Sequence, residues 1–164
     1  MDIVRFEPSA NEGAGRALAV SSLANFFDAA TALAAKPHCR KKGALLHAAS
    51  CEIGDGDLIE LGRHEGAVVF SFSDILAERG FRRSILISKM RLLLTACRKR
   101  KASFVFVTLA KDAHHMRSAR ELLAFAAVLG ATDVERKAAE KKLKQLAGGS
   151  AKAGAAAGGS GVGK

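Results

Sequence analysis

The sequence predicts an α/β protein with parallel strands, and three observations carry that prediction. Short apolar runs alternate with helical patterns from Ile3 to Leu129, the order expected of βα units rather than of separate β and α blocks. The run Ser103 to Thr108 is apolar at both alternations, with Phe104 and Phe106 on one face and Val105 and Val107 on the other. A strand of that kind is buried on both sides, as in a sheet covered by helices. Between Phe81 and Arg100, Leu86, Met90, Leu93 and Cys97 recur at intervals of four, three and four, one core-facing stripe of a helix. A barrel or an open doubly wound sheet fits this alternation.

Taken in order, Ile3 to Phe6 is β-prone and is ended by Pro8 and the polar cluster Ser9 to Gly13. A helix is expected through Arg16, Ala17, Leu18 and Val20, followed by a strand over Asn25 to Asp28. Ala29 to Ala35 is alanine-rich and helical, with Pro37 as its stop. Ala44 to Ala49 is too short for its period to separate a buried strand from a helical turn, and strand is the reading taken. Asp57 is expected to cap a helix over Leu58 to His64 that Gly66 ends. Ala67 to Phe72 is the clearest strand of the first half, and a short helix or turn at Asp74 to Glu78 leads through Gly80 into the basic helix. After the strand at Ser103 comes a loop with two histidines. Ser118 and Glu121 then form a capping box, with Gly130 as the stop, and Thr132 and Glu135 form a second one opening a helix to about Ala147. Residues 1–147 are thus expected to form one α/β domain. Residues 148–164, almost wholly Gly, Ala, Ser and Lys, form a tail too poor in large apolar groups to offset its ordering entropy.

The chain has 26 basic and 16 acidic side chains, a formal net charge of +10, yet 49% of its residues are hydrophobic. A folded core wrapped in positive charge suits a nucleic-acid binder, because Lys and Arg contacts to phosphate supply most non-specific affinity. Nine Phe and no Tyr or Trp favour phosphate contact over base stacking. Three scattered cysteines, Cys39, Cys51 and Cys97, argue against a disulfide framework and for a reducing, cytoplasmic setting. No apolar run approaches the length of a bilayer span, and the N-terminus lacks a signal-peptide pattern, so no membrane partner is expected.

Catalytic readings are weaker. The histidines His38, His47, His64, His114 and His115 include no His-x-His signature, and surface or packing roles are the ordinary expectation. His38, Cys39, His47 and Cys51 fit no common zinc spacing, and Cys51 with His47 is an i, i+4 pair without an orienting acid nearby. No catalytic or metal-binding residue is therefore nominated. The cations are more informative. Arg82, Arg83, Lys89, Arg91, Arg98, Lys99, Arg100 and Lys101 crowd the long helix and its end with no acid among them, and Arg117 and Arg120 stand at a helix N-terminus, where the macrodipole disfavours cations. A helix start with two arginines is an expected anion site. The loop His38 to Gly43 carries a further knot of charge.

The order of features from Ala67 to Ala147 resembles the protein component 3 family of ribonuclease P. It runs from Val68-Val69-Phe70-Ser71-Phe72 through Arg82-Arg83, Ile87-Ser88 and Cys97-Arg98-Lys99-Arg100-Lys101 to Phe104-Val105-Phe106-Val107-Thr108 and Ala110. Arg117-Ser118-Ala119-Arg120-Glu121-Leu122 then looks like the family's Arg-Ser-Pro-Arg-Asp-Leu segment, with Ala119 in place of the proline. A fainter similarity extends upstream through Gly15-Arg16-Ala17 and Phe27-Asp28. The resemblance implies a TIM-barrel-like fold of the polymerase and histidinol phosphatase kind, here reduced or incomplete because the similarity begins partway through the barrel. It also implies a non-catalytic subunit acting in 5′-leader removal from precursor tRNA. Its partners would be the ribonuclease P RNA, protein component 2 and the remaining subunits, with no cofactor in this chain and Mg²⁺ on the catalytic RNA. The expected RNA contacts are Arg82, Arg83, Lys89, Arg98, Lys99, Arg100, Lys101, Arg117 and Arg120. The alternatives are a metal-dependent phosphoesterase of the same superfamily, or a basic protein-interaction module.

Overall fold

The structure, a computed structural model, describes residues 2–5, 17–20 and 23–155. Among these residues, six strands and six α-helices follow one another as β1 (Asp2–Val4), β2 (Ala17–Ala19), β3 (Phe26–Ala29), α1 (Ala32–Cys39), β4 (Leu45–Ala48), α2 (Asp55–Arg63), β5 (Ala67–Ser71), α3 (Phe72–Ala77), α4 (Gly80–Arg100), β6 (Ser103–Val107), α5 (Ala119–Val128) and α6 (Asp133–Ala155). Every strand pair is parallel. β3, β4, β5 and β6 form one sheet in that order, and β1 pairs with β2. The two are joined where β1 lies beside the chain leaving β6: Leu109 N–H donates to Ile3 O at 2.9 Å and Arg5 N–H to Ala110 O at 2.7 Å. The α/β class with a parallel sheet is as the sequence predicts.

Strand residues alternate between two cores. Leu46, Val68 and Phe70 face α1, α2, α4 and α5, joined there by half-buried Phe104 and Phe106. On the other face Leu45, Val69, Val105 and Val107 pack with Ile3, Leu109 and, from α6, Leu143. The helical stripe behaves as its spacing demands, with Met90, Leu93 and Cys97 buried and Leu86 packed against the same core. Phe70 stacks on Phe106 at 5.6 Å, and Phe125 of α5 meets Phe106 edge-on at 5.9 Å, which seats α5 against β6.

Five local expectations are corrected. Ala17 to Ala19 is a strand, not a helix: pairing of this short segment with buried β1 overrides a weak propensity. Pro37 lies inside α1 rather than ending it. It is exposed, it removes one N–H, and the helix is held by buried Ala35 and Cys39 on its opposite side. The N-cap of α2 is Gly54, with no side-chain cap bond, and Asp57 sits in the first turn beside Asp55, where carboxylates complement the dipole. Gly66 is needed for space, not for a left-handed stop. A Cβ there would lie 2.5 Å from Leu61 Cδ1 and 2.8 Å from Ala44 O, while the left-handed residue is Glu65 at φ 59°. Finally, α6 continues to Ala155, past the expected end at Ala147. Both capping boxes form as read, on Ser118 and on Thr132. The polar cluster Ser9 to Gly13, Gly15-Arg16 and residues 156–164 lie outside the described residues.

Candidate nucleic-acid interface

Because β4, β5 and β6 are parallel and in register, with Leu45 beside Ala67 and Ala67 beside Ser103, the segments that lead into them meet at one end of the sheet. Backbone contacts fix this. Gly43 N–H donates to His64 O at 2.8 Å and Ala67 N–H to Ala44 O at 2.8 Å, and the Lys101 carbonyl would lie 3.6 Å from a Cβ on Gly62. Arg40, Lys41, Lys42, Arg63, Lys99, Arg100 and Lys101 are thereby gathered on the N-terminal end of the sheet. Glu60 answers Arg63 at 2.7 Å, and Arg100 is held by Asp55. The side chains of Lys42 and Lys101 make no hydrogen bond or ion pair among the described residues. Lys41 lies over the Phe27 ring at 4.2 Å, with His38 stacked 4.4 Å from the same ring. The result is a cationic rim on a rigid backbone, a geometry suited to phosphates.

The nine nominated cations divide by position. Lys99, Arg100 and Lys101 belong to this rim, whereas Arg98 is occupied by Glu135 through Nε–Oε1 at 2.6 Å and Nη2–Oε2 at 2.8 Å. Lys89 pairs with Glu52 at 3.0 Å, and Arg83 donates to Glu78 O at 2.8 Å. Arg82 is exposed at the start of α4. Arg117 and Arg120 lie beyond the other end of β6, so the two expected clusters occupy opposite ends of the sheet. Arg117 is near the Phe72 ring, 5.9 Å away, and 4.0 Å from Glu121, while Arg120 is exposed. The helix start between them has its cap filled from within, since Glu121 accepts the Ser118 N–H at 2.8 Å. The absence of acids within α4 misled in one respect: Glu52, Asp55 and Glu135, from other elements, neutralise Lys89, Arg100 and Arg98. Lys41 and Lys42, in a loop recognised as basic but not nominated, join the rim because strand order brings them there. The parallel sheet was the signal that could have found them.

The C-terminal end of the sheet carries a different cluster. His47, buried at the end of β4, has Nδ1 2.8 Å from Asp28 Oδ1 on β3 and Nε2 2.7 Å from Asp74 Oδ2 on α3. Arg5 closes on Asp28 at 2.6 Å, and Ser71 Oγ donates to Asp74 at 3.0 Å. Burial alone would lower the imidazole pKa; hydrogen bonding to Asp74, its charge, and then Asp28 outweigh it, so the pKa is raised, and a carboxylate oxygen within 2.8 Å of each nitrogen favours the ring that donates from both. At Asp28, burial works upward, but bonding to His47 and Arg5 holds the carboxyl below its ordinary range. An imidazole with both nitrogens committed to carboxylates has no lone pair for a metal. Nor does Cys51 complete a nucleophile pair: burial and then the Asp74 charge push its thiol up to about 11, which keeps it protonated. Beyond β6, Asp2 accepts from Thr108 N–H at 2.7 Å and from the Thr108 hydroxyl, tying β1 to the sheet. No group of three or more His, Cys, Asp or Glu is placed to hold a metal ion among the described residues, and no described helix is long and apolar enough to cross a membrane.

No family model matches the sequence, and no curated protein matches it. Among solved structures, the fold is similar to that of a chain in the cryo-EM structure of archaeal ribonuclease P with mature tRNA. The TM-score is 0.61 at 18% identity, covering 76% of this chain and 55% of that one. The chain thus spans about half the length of the relative it matches, and the likeness is one of fold.

Proposed function

We propose that this protein is a non-catalytic, RNA-binding subunit of ribonuclease P that supports 5′-leader removal from precursor tRNA. The observation that carries the reading is the fold likeness over 76% of the chain to a protein chain seen in archaeal ribonuclease P with mature tRNA. The rim formed by Lys41, Lys42, Lys99 and Lys101 supplies the phosphate contacts, with Arg117 and Arg120 as a separate contact at the far end of β6. The RNA and its Mg²⁺ ions perform hydrolysis, and the protein neutralises phosphate charge and holds the RNA fold. Protein component 2 and the other subunits are its partners in the cytoplasm. The parallel strands among the described residues, β3-β4-β5-β6 in one sheet and β1-β2 in another, suit a barrel-type α/β fold, with α6 packed on one face through Leu143. A stand-alone metal phosphoesterase is disfavoured by the sealed His47.

Reconstitution tests the proposal. The purified chain is added to ribonuclease P RNA, component 2 and the remaining subunits, and cleavage of precursor tRNA is measured. Omitting the chain is expected to lower cleavage at limiting Mg²⁺. Cleavage unchanged by its omission overturns the reading, as does turnover of a generic phosphodiester by the chain alone.

A further inference from the structure

The long helix α4 carries a second periodic stripe, on the side away from the core. Phe81, Ile85, Ser88, Leu92, Thr95 and Lys99 follow one another at intervals of four, three, four, three and four, the spacing of a coiled-coil seam. The core-facing stripe is Leu86, Met90, Leu93 and Cys97, about half a turn away at 100° per residue. Three large apolar side chains of the outer seam are open to solvent: Phe81 is 80% exposed, Ile85 42% and Leu92 71%. Its two hydroxyls turn their protons back into the helix: Ser88 Oγ donates to Ser84 O at 3.0 Å and Thr95 Oγ1 to Arg91 O at 2.9 Å. The seam runs for about 27 Å at 1.5 Å per residue. A soluble surface exposes single apolar residues freely, but not a line of them at heptad spacing along a well-packed helix.

The flanks of the seam define what fits it. In a helix pair the positions bordering the seam meet the partner's bordering positions and set its choice. Here they are Arg82, Lys89 and Ala96 on one side and Ser84, Arg91 and Arg98 on the other, within a helix that has seven cations and no acid. Arg98 is committed to Glu135. Arg82 is unengaged among the described residues, Lys89 is in an exposed pair with Glu52, and Arg91 uses its guanidinium on Val128 O while remaining exposed. Two copies of this face would set cation against cation, which disfavours self-pairing. Exposed isoleucine, leucine and phenylalanine add nothing to a phosphate contact, so the stretch from Phe81 to Leu92 differs in kind from the lysine rim at the end of the sheet, to which Lys99, the last position of the seam, belongs.

We infer that the outer face of α4 is a docking surface for an amphipathic helix of another protein, one whose apolar stripe is bordered by Asp and Glu. Phe81, Ile85 and Leu92 are the apolar anchors, and Arg82, Lys89 and Arg91 select for acid. This inference does not depend on an RNA partner and stands whether or not the chain belongs to ribonuclease P.

The test uses the full chain and two designed, labelled helical peptides of three heptads (about 21 residues, or about 31 Å at 1.5 Å per residue, enough to span the seam). They are identical in their Leu/Ile stripe and carry Glu or Lys at the bordering positions. Fluorescence anisotropy is expected to give binding of the Glu peptide at least about tenfold tighter than that of the Lys peptide, a separation of about 1.4 kcal/mol. Ile85→Ser with Leu92→Gln, both at exposed sites, should abolish that binding with circular dichroism and melting temperature unchanged. Arg82→Glu with Lys89→Glu should reverse the preference towards the Lys peptide. Equal binding of the two peptides, no binding of either, or binding indifferent to the seam substitutions overturns the inference. So does a concentration-dependent dimer in sedimentation that Leu92→Gln disperses, since the occupant is then a second copy. Loss of RNA retention on the seam substitutions, without loss of peptide binding, also overturns it by assigning the face to nucleic acid.

Discussion

Arg98 and Glu135 join across 37 residues of sequence through two parallel hydrogen bonds, at 2.6 and 2.8 Å. The same carboxylate accepts the Thr132 N–H at 2.7 Å in the capping box that opens α6, and Arg98 also donates to Gly130 O at 2.6 Å. One pair therefore fixes the end of α4 to the start of α6, the helix that covers the second core. Read from sequence, Arg98 is a candidate for phosphate; in the fold it is first a clamp.

Arg98→Ala should cost about 1 kcal/mol of stability. The side chains are partly exposed, 37% and 24%, so a bidentate pair contributes far less than it would if buried. The Arg98 hydrogen bond holds the Glu135 carboxyl at about 2 against an ordinary value of 4.5. A carboxylate with a depressed pKa stabilises the fold above its unfolded value and loses that contribution as pH falls through its folded value. The wild-type advantage in urea midpoint should be complete at pH 7 and shrink from about pH 4.5 towards pH 2. A constant difference across that window would mean that Arg98 acts through packing alone.

His47 shows the opposite sign. It bridges Asp28 of the edge strand β3 and Asp74 of α3, with Arg5 behind Asp28, and it titrates with a raised pKa. A group raised in the folded state gives full stabilisation below its unfolded value, about 6.5, and loses it as pH climbs through the folded value. His47→Gln should cost about 3 kcal/mol, the low end for breaking a buried pair, because Asp28 is half exposed. Chemical denaturation from pH 6 to 9 is the measurement: the wild type should lose stability across that range, and the variant should not show the same decline.

These two residues also mark where the sequence was legible. Strand and helix identity followed from patterns of period two and 3.6, and the capping boxes at Ser118 and Thr132 followed from local spacing, because each is decided within a few residues. The Asp28, His47 and Asp74 cluster was illegible because its members are 19 and 27 residues apart and meet only once β3, β4 and α3 are placed side by side. The basic rim is an intermediate case. Its loops were recognisable one by one, but their convergence depends on the parallel register of β4, β5 and β6. The strand Ala17 to Ala19 was missed because its pairing with β1 is a tertiary choice that composition does not record.

If the rim meets RNA, its charges should appear in the salt dependence. Each phosphate contact on a single strand contributes about 0.7 to the slope of log affinity against log salt, and each on a duplex about 0.9. Replacing Lys42, Lys99 and Lys101 together by alanine should flatten the slope by about 2–3 units by that rule. All three are exposed, so the fold should be retained. Arg117→Ala with Arg120→Ala, at the far end of β6, should change it by about 2 units at most. Filter binding of precursor tRNA over a salt series separates the two ends, and an unchanged slope in the lysine variant removes the rim from the interface.

Lys101 puts stability and binding in opposition at one position. It caps α4 in the left-handed conformation at φ 55°, with its N–H donating to Arg98 O at 3.2 Å. Glycine is the residue that takes this conformation freely, and a side chain there costs about 1 kcal/mol. Lysine at this point retains a cation on the rim at the expense of an easier turn. Lys101→Gly should therefore raise the melting temperature while weakening RNA retention, whereas Lys101→Ala should weaken retention without the gain. Differential scanning calorimetry and a salt titration on the same two variants provide the check. A glycine variant that is more stable and binds RNA as well as the wild type would show that Lys101 contributes only strain.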